Sequence, residues 1–180
     1  DDQLLELCMY ATLGPEVLRS FREGTNYSDG TDIIALIEEI RDSKYYIPEL
    51  SFVAELEGKI VGHFLFSKFP LSSTKNGNYI DEGKNNLVML APVAVHADYF
   101  HQGIGSTMIT KGIQKVKELG FKGITVEGDY HFYNRIGFKT SSEFQIYPTS
   151  GIPLTEPRCM MCQEMYAGAL KDVQGYIVYM

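Results

Sequence analysis

Cysteine is scarce in this chain, excess positive charge is absent, and no apolar run approaches a membrane span. Each shortage narrows the function. Three cysteines, Cys8, Cys159 and Cys162, are too few and odd in number for a disulfide framework, and they suit a reducing cytoplasm. The pair in "CMMC" has redox or metal spacing, but no second Cys pair or Cys/His partner completes a zinc site, so a structural role is expected and no metal. A net charge of −7 speaks against a nucleic-acid partner, which needs clustered Lys and Arg. The longest apolar runs fall short of the roughly 20 residues that cross a bilayer, and Asp1-Asp2-Gln3 opens with neither a basic nor an apolar leader segment. These features predict a cytoplasmic protein without a membrane partner. The missing initiator Met and the apolar end at Tyr179-Met180 read as a chain trimmed at one or both ends.

What is present fits one domain over residues 1–180, with 44% hydrophobic and 22% charged residues. Helical spacing covers Leu4–Phe21 irregularly, then Ile33, Leu36, Ile37 and Ile40, with Thr31 or Asp32 as cap. "LSFVAEL" and "KIVGHFLFSKF" are β-rich and meet at Glu57-Gly58, a hairpin signal. Pro70–Asn86 reads as a polar connection with a short β excursion at Tyr79–Ile80. Strand Leu87–Val95, helix Ile104–Leu119 closed by Gly120, and strand Gly123–Glu127 form one right-handed parallel crossover. "DYHFYNRIG" is a short helix capped by Asp129, and three β-like runs follow: Phe138–Tyr147, Arg158–Tyr166 and Gly175–Met180. The order predicts a mixed α/β (α+β) fold: a twisted, mostly antiparallel sheet with one parallel pair, flanked by helices.

Gln102-Gly103-Ile104-Gly105 places two glycines where the helix begins. The first amides of a helix have no internal acceptor and lie at its positive end, so glycines there let an anion approach them. The other reading is a tight turn that packs helix on strand, and the glycine pair alone leaves both open. Two phosphate loops are excluded. The dinucleotide fingerprint needs a third glycine where Ser106, Thr107 and Met108 follow, and no Gly-Lys-Ser/Thr occurs for a Walker loop.

"PVAVHADYFHQGIGSTMITKGI", Pro92–Ile113, resembles the acyl-CoA-binding segment of the GNAT (Gcn5-related N-acetyltransferase) superfamily, and "FYNRIGF", Phe132–Phe138, is similar to its Tyr-x-x-x-Gly-Phe. With "YIPELSFVAELEGKIVGH" the resemblance runs from about Asp32 to Tyr166 and extends to a bacterial YhbS-like subgroup. It implies direct transfer of an acetyl group from acetyl-CoA to a primary amine, by a monomer or homodimer. The diphosphate is expected on the backbone of His101, Gln102, Gly103, Ile104, Gly105, Ser106 and Thr107. The pantetheine arm is expected along Val93, Ala94 and Val95, where the strand splays from its neighbour. Pro92, which lacks an N–H, marks a bulge or a simple irregularity there. The resemblance makes the Val93 amide the oxyanion donor and Tyr133, which also contacts the cofactor, the acid for the leaving thiolate.

The chain departs from the family pattern at three positions. Phe100 stands where the loop opens with Arg or Gln, His101 where Gly is frequent, and Val126 where an Asn often precedes the Tyr. No base declares itself among Glu49, Glu55, His63, Glu127 and Asp129; Glu127 is the first choice and His63 the second. The acceptor is expected near Gly24–Thr31 and after Tyr147, segments that carry Tyr27, Asp29 and Glu156. The alternative to an enzyme is an acyl-CoA-binding or sensing module of the same fold, followed by an interaction domain that has lost CoA binding.

Overall fold

A computed structural model of the chain describes residues 31–149 and 156–179. They form two compact units, one built from residues 31–66 and 91–112, the other from 67–90 and the described residues after 112. The expected helix at Leu4–Phe21, Cys8, and the acceptor segment before Thr31 lie outside the described residues.

The first unit opens with α1 (Thr31–Asp42), whose Ile37 and Ile40 are buried as the spacing predicts. The cap ahead of α1 and the side chain of Ile33 are outside the described residues. A 3-10 turn at Pro48–Leu50 leads into β1 (Ser51–Leu56), which pairs antiparallel with β2 (Lys59–Ser67). Glu57 and Gly58 both take positive φ, 51° and 76°, as the tightest hairpin turns require. A bulge makes Ala54 face Gly62 and Glu55 face Ile60. Phe52 stacks on Phe64 across the pair, and both rings meet Phe66 edge-on. The far half of β4 (Leu87–Val95) neighbours β2, and His96 N–H donates to the Val61 carbonyl at 2.8 Å. The first turns of α2 (Ile104–Glu118) press on this sheet at Gly112, where a Cβ would lie 2.5 Å from the Phe64 ring and 2.8 Å from Phe66. Met108 and Ile109 are buried there.

The second unit takes the near half of β4, then β5 (Gly123–Glu127), β8 (Met160–Glu164) and β6 (Lys139–Thr140), hydrogen-bonded in that order. The β4–β5 pair is parallel and β8 is antiparallel to both its neighbours. A second sheet has the order β3 (Leu71–Ser72), β9 (Gly175–Ile177), β7 (Ile146–Pro148). Phe69, Leu87, Ile146, Met160, Cys162, Leu170 and Ile177 form its core. The short helix α3 (Tyr130–Arg135) starts at Asp129, whose Oδ1 accepts the His131 amide at 2.9 Å. The fold is thus the expected mixed α/β arrangement, mostly antiparallel.

Five sequence expectations need correction. Phe138–Tyr147 is not one strand. After Thr140 a 3-10 turn spans Ser141–Phe144, and Gln145, left-handed at φ 59°, closes it by donating to the carbonyls of Ser141 and Ser142. Arg158–Tyr166 begins as a 3-10 turn at Pro157–Cys159, because the proline ring fixes φ there, and becomes extended only at Met160. The connection Pro70–Asn86 holds strand β3, while the Tyr79–Ile80 excursion is a single bridge from Ile80 to Ser72. A second parallel pair, β7 with β9, accompanies the expected one. Leu119, placed on the inner helix face by its spacing, is 42% exposed just past the end of α2.

Candidate functional site

In the first unit the loop before α2 turns sharply. His101 and Gly103 have φ of 61° and 77°, while Gln102 between them does not share the sign. Such alternation turns successive amides toward one concave side. A side chain at Gly103 would meet no other part of the protein within 4 Å, so what the fold itself asks of glycine here is its backbone conformation. Thr107 N–H donates to the Gly103 carbonyl at 3.0 Å, the first bond of the helix. The amides of Ile104, Gly105 and Ser106 therefore lack an acceptor inside the helix. Ser106 Oγ donates back to Gly103 at 3.1 Å. His101, Gln102, Gly103 and Thr107 are exposed; Ile104, Gly105 and Ser106 are half-buried. The arrangement presents free amide donors at the positive end of a four-turn helix, and an anion suits it.

Upstream on β4, Ala94 is buried and Val93 and Val95 are half-buried. The irregularity at Pro92 is a cis peptide bond to Ala91. The β4–β5 ladder runs through Leu87–Gly123, Val88–Ile124 and Met89–Thr125 and ends there, which leaves the rest of β4 outside that ladder. Phe100 is 38% exposed, its ring edge-on to His101 at 6.3 Å. A groove of about 380 Å³ lies between β1 and the first turns of α2, with Phe52, Leu56, Gly103, Thr107 and Lys111 on its walls. No pattern in the sequence announced it, because its two walls are about fifty residues apart.

In the second unit the Tyr133 ring lies over Gly128, where a Cβ would come within 2.7 Å of it, and packs edge-on against Phe138 at 5.6 Å and Phe132 at 5.0 Å. Burial, assisted by the Asp129 carboxylate, pushes its phenol up to about 12, so the hydroxyl stays protonated through the neutral range. Asp129 is engaged as the helix cap and by His131 Nδ1 at 3.0 Å. Glu127 ends β5 as an exposed carboxylate, and Tyr179 Oη donates to its Oε2 at 3.3 Å. Tyr179 is a contact the sequence reading missed; 52 residues separate the partners. Val126, at the position where the family often has Asn, is buried.

The other base candidates divide clearly. His63 is only 2% exposed, its Nε2 has no hydrogen-bond partner, and burial together with Arg41 lowers it to about 4. It is a neutral imidazole without solvent access. Glu49 and Glu55 are exposed on the first unit. Glu156 caps its own turn and grips Arg158 with both oxygens at 2.8 Å, and Arg158 in turn lies over the Tyr130 ring. Cys159 and Cys162 are free thiols whose pKa values burial raises, which disfavours the thiolate that metal or redox chemistry needs. Among the described residues no cluster of three or more His, Cys, Asp or Glu could hold a metal. No described helix is long and apolar enough to cross a membrane.

The model of the acetyltransferase (GNAT) family matches residues 16–138. The chain belongs to this family. Escherichia coli N-acetyltransferase YjhQ is 30% identical over 142 residues, 78% of this chain and 73% of that protein. Escherichia coli YhbS is 25% identical over 146 residues, 80% of this chain and 78% of the relative. Its crystal structure in complex with CoA superposes with a TM-score of 0.67, at 21% identity over 82% of this chain and 75% of that one. A GNAT acetyltransferase from Brucella melitensis in complex with acetyl-CoA gives 0.64, at 24% identity over 94% of this chain and 88% of that one. Membership carries acyl-CoA-dependent acyl transfer as the general activity.

Proposed function

We propose that the protein transfers an acetyl group from acetyl-CoA to a primary amine of a small molecule or peptide, by direct attack within a ternary complex. The observation that carries this reading is the run of free amides from Ile104 to Ser106 behind a left-handed glycine, in a chain of this family. The cofactor diphosphate rests on the backbone of His101–Thr107, and the pantetheine amides pair with the open part of β4 at Val93, Ala94 and Val95. A neutral amine nitrogen attacks the thioester carbonyl carbon. The Val93 amide stabilises the resulting oxyanion. As the C–N bond stands and the C–S bond breaks, Tyr133 Oη donates a hydrogen bond to the departing sulfur and stabilises the CoA thiolate that leaves. The proton lost by the amine passes to Glu127, which is exposed where His63 is buried. The YhbS-like grouping rests on the 25% identity with that protein, and YjhQ matches at higher identity.

Phe100 favours a second reading, an acyl-CoA-binding module without turnover, since it cannot offer the polar side chain that opens the family's loop. Calorimetric titration with acetyl-CoA, followed by a panel of amines, separates the two. The enzyme reading expects micromolar-range binding and acetylated product; the module binds without product; absence of binding contradicts both.

A further inference from the structure

Resting on Glu127 as the proton acceptor, we infer that Tyr179 is a positioning residue: its hydroxyl holds one oxygen of Glu127 so that the other stays turned toward the amine. Tyr179 follows β9, and β9 is held on both sides, by β3 at Leu71–Ile177 and Ser72–Tyr176 and by β7 from Ile146–Gly175 to Pro148–Ile177. Val178 N–H adds a bond to the Pro70 carbonyl at 3.0 Å. The residue therefore leaves a strand with two fixed edges, and its half-buried ring packs against the core that contains Leu87, Met160 and Cys162. Glu127 faces Met160 across the β5–β8 ladder, two residues beyond the Thr125–Cys162 pair. The ring thus reaches from the core to the end of β5, where Oη meets Oε2.

An exposed glutamate at a strand end has several rotamers, and a fixed donor on one oxygen selects among them. A phenol suits this task because it donates without competing for the amine's proton. Burial first, then the charge and hydrogen bond of Glu127, raise the Tyr179 pKa, so it remains a donor. The other groups that face this carboxylate and hydroxyl electrostatically are Cys159 in the turn before β8, Cys162 on β8 and, through Cys159, Asp129 and Glu156. The cation that also acts on Cys159, Arg158, is held by both oxygens of Glu156 and does not replace the hydroxyl as a partner.

The test is a double-mutant cycle of Tyr179→Phe and Glu127→Gln, read in single-turnover acetyl transfer to an amine accepted by the wild type, with acetyl-CoA affinity and melting temperature recorded in parallel. Loss of one hydrogen bond to a charged group predicts about a tenfold lower rate for Tyr179→Phe, with acetyl-CoA affinity unchanged. In the Glu127→Gln background the same substitution adds nothing, since the group it positions is gone. Multiplying losses overturn the inference, as does an unchanged rate in Tyr179→Phe or a rate loss matched by a loss of melting temperature and affinity. Full activity in Glu127→Gln overturns it through its premise. A wild-type protein that binds acetyl-CoA but acetylates no amine overturns the proposed function itself, and this inference with it.

Discussion

Replacing Tyr133 by Phe removes one oxygen from a ring wedged between Gly128, Phe132 and Phe138. Packing survives, so the rate reports on the hydroxyl alone. Its size follows from the environment. The phenol sits at about 12, whereas a free thiol titrates near about 8.5. Complete proton transfer to the thiolate is then uphill by about 3.5 units, or about 5 kcal/mol. What the hydroxyl provides is chiefly a hydrogen bond to developing negative charge on sulfur, worth about 1.5–3 kcal/mol. That predicts a loss of about 10- to 150-fold, at or below the bottom of the range of about 10²–10⁴ for general acids. Single-turnover rates with saturating acetyl-CoA measure it without interference from product release. The raised pKa has a second consequence: ionisation of Tyr133 produces no alkaline loss of rate below about pH 10. A Phe variant with full activity refutes the acid role, and one that loses acetyl-CoA binding in proportion to rate makes Tyr133 a cofactor contact instead.

Other consequences are equally direct. Gly103→Val forces a β-branched residue to φ 77° and distorts the amide cradle, so CoA affinity falls more than about tenfold while the melting temperature changes little; undiminished affinity in calorimetry contradicts the cradle. Gly112→Val sets a side chain against the Phe64 and Phe66 rings and lowers unfolding free energy by about 1–3 kcal/mol in urea titration, with no change expected at the loop. His63 has a folded pKa of about 4 against 6.5, so it binds its proton less readily when folded and contributes stability that is present above pH 6.5 and lost as pH falls through 4. The full span is on the order of 3 kcal/mol. His63→Leu, which leaves no unpartnered Nε2, flattens the stability–pH curve between those values, and an unchanged slope assigns acid sensitivity elsewhere.

Local signals carried much of this structure. The Glu57-Gly58 turn, the helix start at Ile104, Gly120 as terminator at φ 84° and Asp129 as cap depend on residues a few positions apart, and each was readable. The sheet of β3, β9 and β7 was not, because Leu71 finds its partner at Ile177, and two residues of strand give no periodicity. The same distance hid Tyr179 beside Glu127. The burial of His63 was equally invisible, since alternation along "KIVGHFLFS" places it on a strand but does not reveal that every residue from Val61 to Ser67 is buried. The loop amides and Tyr133 could be nominated as candidates because a motif specifies them by position. The proton acceptor could only be ranked, Glu127 ahead of His63, because no motif marks it and the choice depends on exposure.

Acetyl transfer itself is tested most directly by mixing the wild-type protein with acetyl-CoA and a broad panel of primary amines, and following free CoA thiol and acetylated amine together. The proposed chemistry predicts that both appear in equal amounts, only when amine and acetyl-CoA are present together, and at a rate lowered in Tyr133→Phe. Tight binding of acetyl-CoA with no acetylated amine at any pH between 6 and about 10, where Tyr133 remains a phenol, would contradict it and leave a binding module in its place.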